Sequence, residues 1–403
     1  MKIFLGFSEV ANIVSNYKKG FEKLGHDTFT VVFSKNKYYP NAEYDVVLSD
    51  SIISGTIFPA LLNKMLSSLI IRTKTFFFFI RALLTCEIFY YNTGGHILPF
   101  ALDYKLIKIF NKKLVIIFLG SEIRHWYLYQ KELEGLGYAN LYEQCIKTYK
   151  EQSFGSYLDK ARRVNLAEKY SNLILSQPGF AQLQRLPYLR ATPGLLLEEY
   201  TFNIPERAVP IIVHAPSSRG VKGTEFVIAA LEKLRREGIE FEFRLIENLP
   251  NHELLELLSK VDIVIDELNS DTIGVLSSEA MATGNAVISS YIIELAKVPV
   301  PCPVINSNKF SIYEDVKQLI LDIPLRVSLA NEGKDYVNRH HDIQKNINRE
   351  LSFLNSKTLK SFDFTPANDQ LRGVPEDIME EERAERRSNL AEKFREYFKV
   401  KGN

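Results

Sequence analysis

The alternation of short apolar runs with helix-length segments is the feature that most constrains how this chain can fold. Lys2–Phe7 and Thr28–Phe33 are typical of β-strands, and Val10–Leu24 between them has the pattern of a helix that ends at Gly25. The remaining strands predicted in this first series are Asp45–Leu48, Glu87–Asn92, Leu114–Leu119 and Asn172–Ser176. Each is separated from the next by a stretch long enough for a helix, which predicts a parallel sheet with helices on both faces.

A second series begins after residues 187–210, where Pro193-Gly194 and Pro205 indicate an interdomain linker. Its predicted strands are Ile211–His214, Glu240–Ile246, Ile263–Asp266 and Ala286–Ser289, and its predicted helices are Thr224–Glu237, Asn251–Val261 and a segment around Ser277–Thr283. At 403 residues the chain also exceeds the roughly 250–300 residues that one core accommodates. We therefore predict an α/β protein with two Rossmann-like, doubly wound domains that face a cleft.

The predicted first domain covers residues 1–190 and the second covers residues 205–340. Helical patterns continue from Tyr313 to Ser356 with an interruption at Pro324, and the composition becomes strongly charged beyond Pro366. We therefore predict C-terminal helices and a charged tail over residues 341–403. The tail is expected to be a solvated helix, and the alternative is a helix that binds a partner or a membrane.

Charge and cysteine content exclude several classes of protein. Fifty Lys and Arg residues against 49 Asp and Glu residues leave a net charge of +1, without the basic excess of a protein dedicated to nucleic acid. Cys86, Cys145 and Cys302 lie far apart, which argues against a disulfide framework and a zinc site and favours a reducing compartment. We predict a cytoplasmic protein with no nucleic-acid partner and no metal.

Residues 52–84 raise the question of a membrane. Ile52–Ile71 carries a single charge, Lys64, and is followed by Arg72, Lys74 and a run of four phenylalanines. The segment is long enough to span a bilayer, but serine, asparagine and proline dilute its hydrophobicity. Buried helices of a large domain, helices lying on a membrane surface and a membrane span all stay open, in that order. The basic, apolar character motivates the hypothesis that the protein docks at times on a membrane surface.

Two loops after predicted strands of the second domain carry candidate ligand-binding residues. Arg219 and Lys222 stand three residues apart beside Gly223, just before a helix whose first amide groups lack partners. This loop is suited to a phosphate or diphosphate, and the alternative is a surface loop with incidental cations. The second loop places Asp271 eight residues before Glu279, across a turn at Gly274.

At this point the sequence resembles the GT-B fold of nucleotide-sugar-dependent glycosyltransferases, in the large retaining group that shares an E-x7-E motif and includes glycosyltransferase family 4. The resemblance lies in the order and spacing of Arg219, Lys222-Gly223, Asp271 and Glu279-Ala280-Met281-Ala282. Supporting likenesses are Ser8–Asp27, Gly120–Arg124 and Asn172–Pro178. The resemblance covers roughly residues 1–350 and is more specific in the second domain than in the first.

The resemblance implies a role for each matching residue of the donor site. Arg219 and Lys222 would bind the donor diphosphate in place of a metal, and Glu279 would bind the ribose hydroxyls. Asp271, which would contact the transferred sugar, is a glutamate in the family and is one methylene shorter here. The remaining residues expected to bind the donor are Ser218, Gly223, Thr272, Ile273, Gly274 and Val275.

The first domain would hold the acceptor. Candidates are Asn12 near the first strand–helix loop, His96 after a middle strand, and Glu122 and Arg124 after the strand end at Gly120. Alternatives that do not involve a substrate are a loop role for His96 and a local ion pair for Glu122 and Arg124.

These inferences predict a hexosyltransferase-like enzyme of cell-surface polysaccharide or glycoconjugate synthesis. It would move a sugar from a nucleotide-diphosphate donor to a glycan or lipid-linked acceptor, with retention of configuration and without a cofactor. Two alternatives stay open: a sugar-nucleotide epimerase of the same fold, and a non-catalytic homologue that serves as partner or scaffold for an active transferase.

Overall fold

The first domain is built on a seven-stranded parallel sheet. The computed structural model describes residues 1–51, 60–151, 155–356, 361–366 and 373–399. The strands are β1 (Lys2–Phe7), β2 (Asp27–Val32), β3 (Val46–Val47), β4 (Ile88–Asn92), β5 (Lys113–Ile117), β6 (Leu173–Ser176) and β7 (Leu189–Arg190). Their order is β3-β2-β1-β4-β5-β6-β7. The helices are α1 (Ile13–Lys23), α2 (Ala60–Thr85), α3 (Leu102–Ile109), α4 (Trp126–Gly135), α5 (Glu143–Glu151) and α6 (Tyr157–Tyr170).

The second domain has a five-stranded parallel sheet of order β12-β11-β10-β8-β9. Its strands are β8 (Ile211–His214), β9 (Glu242–Leu245), β10 (Ile263–Ile265), β11 (Ala286–Ser289) and β12 (Val304–Asn306). Its helices are α7 (Arg219–Lys222), α8 (Thr224–Arg236), α9 (Asn251–Leu258), α10 (Val275–Thr283), α11 (Ile293–Ala296), α12 (Ile312–Leu321) and α13 (Ile323–His340). The predicted fold class, two doubly wound domains, is confirmed.

Each sheet is buried on both faces because its strands are nearly continuous apolar runs. In the first domain, Phe4 and Phe89 lie in the core on one face, and Leu5 and Tyr90 lie in the core on the other. Strand order reverses between β1 and β4 in the first sheet and between β8 and β10 in the second. Ligands of such sheets bind beyond the carboxyl ends of the strands at these reversals, so the loops after β1, β8 and β10 are where a site is expected.

The C-terminal helices return to the first domain. Helix α14 (Ile343–Asn355) packs on α1, where the side chains of Ile343 and Ile347 come so close that Gly20 has no space for a Cβ. Further on, Val374 is buried in the first domain's core and precedes α15 (Glu376–Lys399). The two domains are therefore connected both through the linker and through the chain that returns from α13 to α14.

The predicted elements differ from the structure mainly at their ends. Helix α1 begins at Ile13 rather than Val10, because Ala11 and Asn12 adopt positive φ angles of 50° and 61° that an α-helix does not allow. The predicted interruption at Pro324 is confirmed, because α12 ends at Leu321 and α13 begins at Ile323. Pro324 lies in the first turn of α13, where the missing amide hydrogen has no partner to lose. Strands β7 and β12 were not predicted.

Helix α2 contains most of the predicted membrane segment, of which residues 52–59 lie outside the described part of the chain. Phe79 and Leu83 are buried in the core, whereas Phe76 and Phe77 are exposed. Within the described residues, no helix combines the length and the apolar character needed to cross a bilayer.

Candidate functional site

A cavity of about 320 Å³ lies between the two domains, at the carboxyl ends of both sheets. The first domain contributes the loop after β1, including Val10 and Asn12, and the second contributes residues 272–275 in the loop between β10 and α10. The linker around Thr192 closes one side. Both strand-order reversals therefore open onto the same space, as the doubly wound topology predicts.

Helix α10 directs its amino-terminal end at this cavity. Ile273, Gly274 and Val275 line it, and the helix begins at Val275. Asp266, at the end of β10, fixes the turn because its Oδ2 accepts hydrogen bonds from the Ser277 amide at 3.1 Å and the Ser277 hydroxyl at 2.6 Å. The first amide groups of a helix have no intrahelical acceptors and carry partial positive charge, so this end of the cavity suits an anion.

Glu279 lines the same cavity from the first turns of α10. Its side chain accepts a hydrogen bond from Asn251 Nδ2 at 3.0 Å. Burial raises the pKa of this carboxyl to about 7, against the lowering effects of Asn251 and Tyr200. A buried carboxylate of this kind is suited to hold a pair of ligand hydroxyl groups.

Asp271 is placed differently from Glu279. It is fully buried and does not line the cavity. Tyr129 donates a hydrogen bond to Oδ1 at 3.1 Å, and a Cβ at Gly179 would lie 2.0 Å from Oδ2, so the carboxyl is enclosed by the first domain. Burial raises the pKa of Asp271 while Arg124 opposes this shift. The predicted contact between Asp271 and a sugar would require this packing to open.

Lys222 is buried behind the cavity rather than on its surface. Its ammonium group forms ion pairs with Asp266 and, at 2.7 Å, with Glu267. Burial alone would lower the pKa of Lys222, but the two carboxylates raise it well above the ordinary value. The charge of Lys222 is thus already neutralised within the protein.

Arg219 is exposed and also paired. Its guanidinium donates to Glu225 at 2.8 Å and to Glu247 at 3.1 Å, and it does not line the cavity. Ser218 and Gly223 lie beside it, outside the cavity lining as well. Gly223 has φ 68° and its Cβ position is occupied by Leu268, so this glycine is required by the local fold. Residues 218–223 therefore pack against the start of the loop after β10, where the Leu268 amide donates to the Lys222 carbonyl oxygen, but Arg219 and Lys222 do not reach the cavity.

The candidates on the first domain divide in the same way. Asn12 and Arg124 line the cavity. His96 and Glu122 do not: His96 Nδ1 lies 2.8 Å from the Leu98 carbonyl oxygen, and Glu122 accepts a hydrogen bond from the Leu119 amide within its own loop.

Several residues of the cavity were not predicted from the sequence. Tyr39, Tyr149 and Gln177 come from the first domain, and Tyr200 and Asn251 come from the linker region and from the start of α9. Asn251 also joins the domains, because its backbone amide donates a hydrogen bond to the Tyr38 carbonyl oxygen at 2.7 Å. The position of Asn251 after a predicted strand, directly behind Pro250, is the one sequence signal that could have indicated it.

Comparisons with known proteins give the class of the fold. No protein-family model matches the chain, and no curated protein matches it either. HepE from Anabaena, solved with UDP-glucose, is similar in structure with a TM-score of 0.53, at 14% sequence identity over 87% of this chain and 99% of that one. Sucrose-phosphate synthase from Thermosynechococcus elongatus gives a TM-score of 0.56, at 12% identity over 87% of this chain and 98% of that one. The architecture is the GT-B fold.

Proposed function

We propose that this protein is a glycosyltransferase that moves a hexosyl group from a nucleotide-diphosphate sugar to a glycan or lipid-linked acceptor. Transfer would retain the anomeric configuration and use neither a metal nor a cofactor. The product would belong to a cell-surface polysaccharide or glycoconjugate. The reaction would take place in the cytoplasm, at the inner face of a membrane.

The observation that carries this proposal is the arrangement of Glu279 and the amino-terminal end of α10 in one cavity between two doubly wound domains. A nucleotide sugar needs both features, since its pentose offers adjacent hydroxyl groups and its diphosphate offers negative charge. The interdomain position leaves room for a second substrate on the side of Asn12.

The chemistry that this cavity would support is the exchange of one glycosidic bond for another. The bond between C1 of the sugar and the diphosphate oxygen breaks, and its electron pair stays on the diphosphate. The acceptor oxygen forms the new bond to C1, and its proton leaves with the diphosphate product. Positive groups directed at the departing oxygen lower the barrier, because charge builds there in the transition state.

The solved structures with the same architecture support this proposal. HepE is bound to UDP-glucose in its crystal structure, and the other protein is named as a sucrose-phosphate synthase. The ligand bound to HepE is a hexose joined to a nucleoside diphosphate, and the name of the other protein refers to a disaccharide of hexoses.

Thermal unfolding with a panel of uridine, guanosine, thymidine and cytidine diphosphate sugars tests the proposal. A ligand at one hundred times its dissociation constant stabilises the native state by roughly 2.7 kcal/mol, so the correct donor should raise the unfolding temperature by several degrees. The panel should be repeated on Glu279→Ala, which is expected to lose the shift. A panel in which no compound stabilises the wild-type protein would contradict the proposal.

One observation favours the alternative of a non-catalytic homologue. Both Arg219 and Lys222, the cations expected to bind the diphosphate, are already paired with carboxylates. A scaffold that has lost its donor site would give no heat when titrated with nucleoside diphosphates, whereas an enzyme would give a saturable signal.

Peripheral contact with a membrane remains part of the proposal and is supported by helix α2. One side of this helix, by the spacing of its residues, carries four exposed apolar side chains: Leu69 (62% exposed), Phe76 (49%), Phe77 (61%) and Leu84 (67%). Arg72, Lys74 and Arg81 border this apolar side and are also exposed. An apolar helix face with a basic border is suited to the surface of an anionic bilayer.

Cosedimentation with vesicles of neutral and anionic lipid tests the contact. Each buried phenylalanine contributes roughly 1.5–3 kcal/mol, so Phe76→Ser with Phe77→Ser should weaken binding at least roughly tenfold. Phe310→Ser is the matched control, because Phe310 is 79% exposed on the second domain. Equal sedimentation of the wild-type protein with and without vesicles at low salt would refute the contact.

A further inference from the structure

Arg124 is a buried cation whose hydrogen-bonding groups are unused. Its side chain is 9% exposed, and its guanidinium makes no hydrogen bond to any residue that the structure describes. The nearest carboxylate oxygen, Asp271 Oδ1, is 4.0 Å from its terminal nitrogen, beyond hydrogen-bonding distance. The guanidinium lies over the ring of Tyr149, 4.2 Å from its centre. A desolvated guanidinium with unpaired donors is unfavourable unless a ligand completes it.

Arg124 is also the cation that faces the cavity. Among the described residues that line it, Arg124 is the only lysine or arginine. Residues 273–275, at the positive end of α10, line the same cavity from the second domain. An anion bound there would contact a guanidinium from one domain and helix amides from the other, and the planar guanidinium is suited to two oxygens of a phosphate.

A helix from the far end of the chain holds the loop that carries Arg124. Glu382 of α15 accepts a hydrogen bond from His125 Nε2 at 2.8 Å, and its other oxygen accepts one from the Tyr157 amide at 2.8 Å. His125 is completely buried and stacks on Trp126. Lys160 Nζ donates to the Arg124 carbonyl oxygen at 2.5 Å, which fixes the same loop from α6.

We propose that Arg124 is a catalytic residue that binds the diphosphate of the donor, and that Glu382 is a positioning residue that holds Arg124 in the cavity through His125. This inference rests on the proposed function. When the bond between C1 and the diphosphate oxygen breaks, the electron pair moves onto that oxygen, and Arg124 would stabilise the charge. The C-terminal helix would thereby complete a site that lies between the two domains.

Calorimetric titration with the diphosphate against the monophosphate of uridine, guanosine, thymidine and cytidine tests the role of Arg124. The wild-type protein should prefer the diphosphate of its nucleoside. Arg124→Gln should reduce that preference at least tenfold. Arg124→Lys keeps the charge without the planar group, so its preference for the diphosphate should lie between those of the wild type and Arg124→Gln. The lysine variant also serves if the glutamine variant does not fold.

A double-mutant cycle tests the role of Glu382. Glu382→Ala should reduce the diphosphate preference severalfold in the wild-type background but not in the Arg124→Gln background, because its effect passes through Arg124. A purely structural role would lower binding equally in both backgrounds. Glu385→Ala, at an exposed position of the same helix, should change neither.

The outcomes separate this inference from the proposed function. If the wild-type protein binds no nucleotide of the four nucleosides, the proposed function is wrong and this inference falls with it. If it binds a diphosphate and Arg124→Gln keeps the full preference, the role of Arg124 alone is refuted. If Glu382→Ala acts equally in both backgrounds, Glu382 does not position Arg124.

Discussion

Removal of the Lys222 side chain should destabilise the protein as well as alter its ligand site. From the sequence alone, Lys222→Ala is expected to affect nucleotide binding and leave the fold intact. In the structure, the same change leaves Asp266, which is completely buried, and Glu267, whose side chain is 17% exposed, without their shared cation. Breaking a buried ion pair by removal of one partner costs about 3–5 kcal/mol. Since Ser277 still donates two hydrogen bonds to Asp266, we expect a value near 3 kcal/mol.

Urea unfolding of the wild-type protein and Lys222→Ala measures this loss. Glu267→Gln in the Lys222→Ala background should recover part of the stability, because one unpaired charge is removed. Arg219→Ala is the matched control on the same short helix, and we expect little change because Arg219 is exposed. A Lys222→Ala protein within about 1 kcal/mol of the wild type would refute the reasoning, since breaking a buried pair should cost several times that.

Two further predictions concern stability. Glu350 is buried between the hydroxyl groups of Tyr17 and Tyr90, and burial raises its pKa from 4.5 to about 7. Its contribution to the free energy of unfolding is therefore fully present below pH 4.5 and is lost as the pH rises through 7. The introduced side chain of Glu350→Gln stays neutral, so from pH 5 to pH 8 the free energy of unfolding of this variant should rise relative to that of the wild type by on the order of 3 kcal/mol. Urea unfolding of both proteins at the two pH values measures this change, and an equal difference at pH 5 and pH 8 would contradict it. Gly284 ends α10 with φ 89°, and a Cβ there would lie 2.0 Å from the Asn203 carbonyl oxygen, so Gly284→Ala should cost more than the roughly 1–3 kcal/mol of the strained φ alone. At Gly25, φ is 76° and no atom lies within 4 Å of the Cβ position, so Gly25→Ala should lose only the stability that the strained φ costs. Equal losses of unfolding free energy in the two variants would refute the clash at Gly284.

Much of the fold could be predicted from the sequence because the strands are short apolar runs with clear ends. Strands β1, β8 and β11 begin and end at the predicted residues. Strand β7 lies within residues 187–210, whose prolines and glycine predicted a linker, and β12 directly follows Pro301 and Pro303, so local sequence favoured loops at both places. They belong to the sheets because neighbouring strands supply their hydrogen bonds, and local sequence does not show this.

The candidate site was less accessible to prediction. Glu279 and residues 273–275 line the cavity because their places at the end of a strand and the start of a helix are local properties. Arg219 and Lys222 are turned to other partners by Glu225, Glu247 and by carboxylates after β10, which lie up to 45 residues away. Whether a cation is free or paired depends on tertiary contacts that spacing does not encode.

The C-terminal helix shows the same limit over a greater distance. Its charged sequence predicts a solvated helix, and most of its described side chains are exposed. One of them, Glu382, nevertheless contacts His125, which is 257 residues away in the chain. No property of the two segments taken separately indicates this contact.

Calorimetric titration of nucleotide-diphosphate sugars into the wild-type protein and Glu279→Ala tests the central claim most directly. The claim is that the cavity between the domains binds such a molecule, with Glu279 on its pentose. We predict a saturable heat of one ligand per chain for the wild type and at least a tenfold weaker affinity for the variant. Absence of binding by the wild type, or the same affinity in both proteins, would contradict the claim.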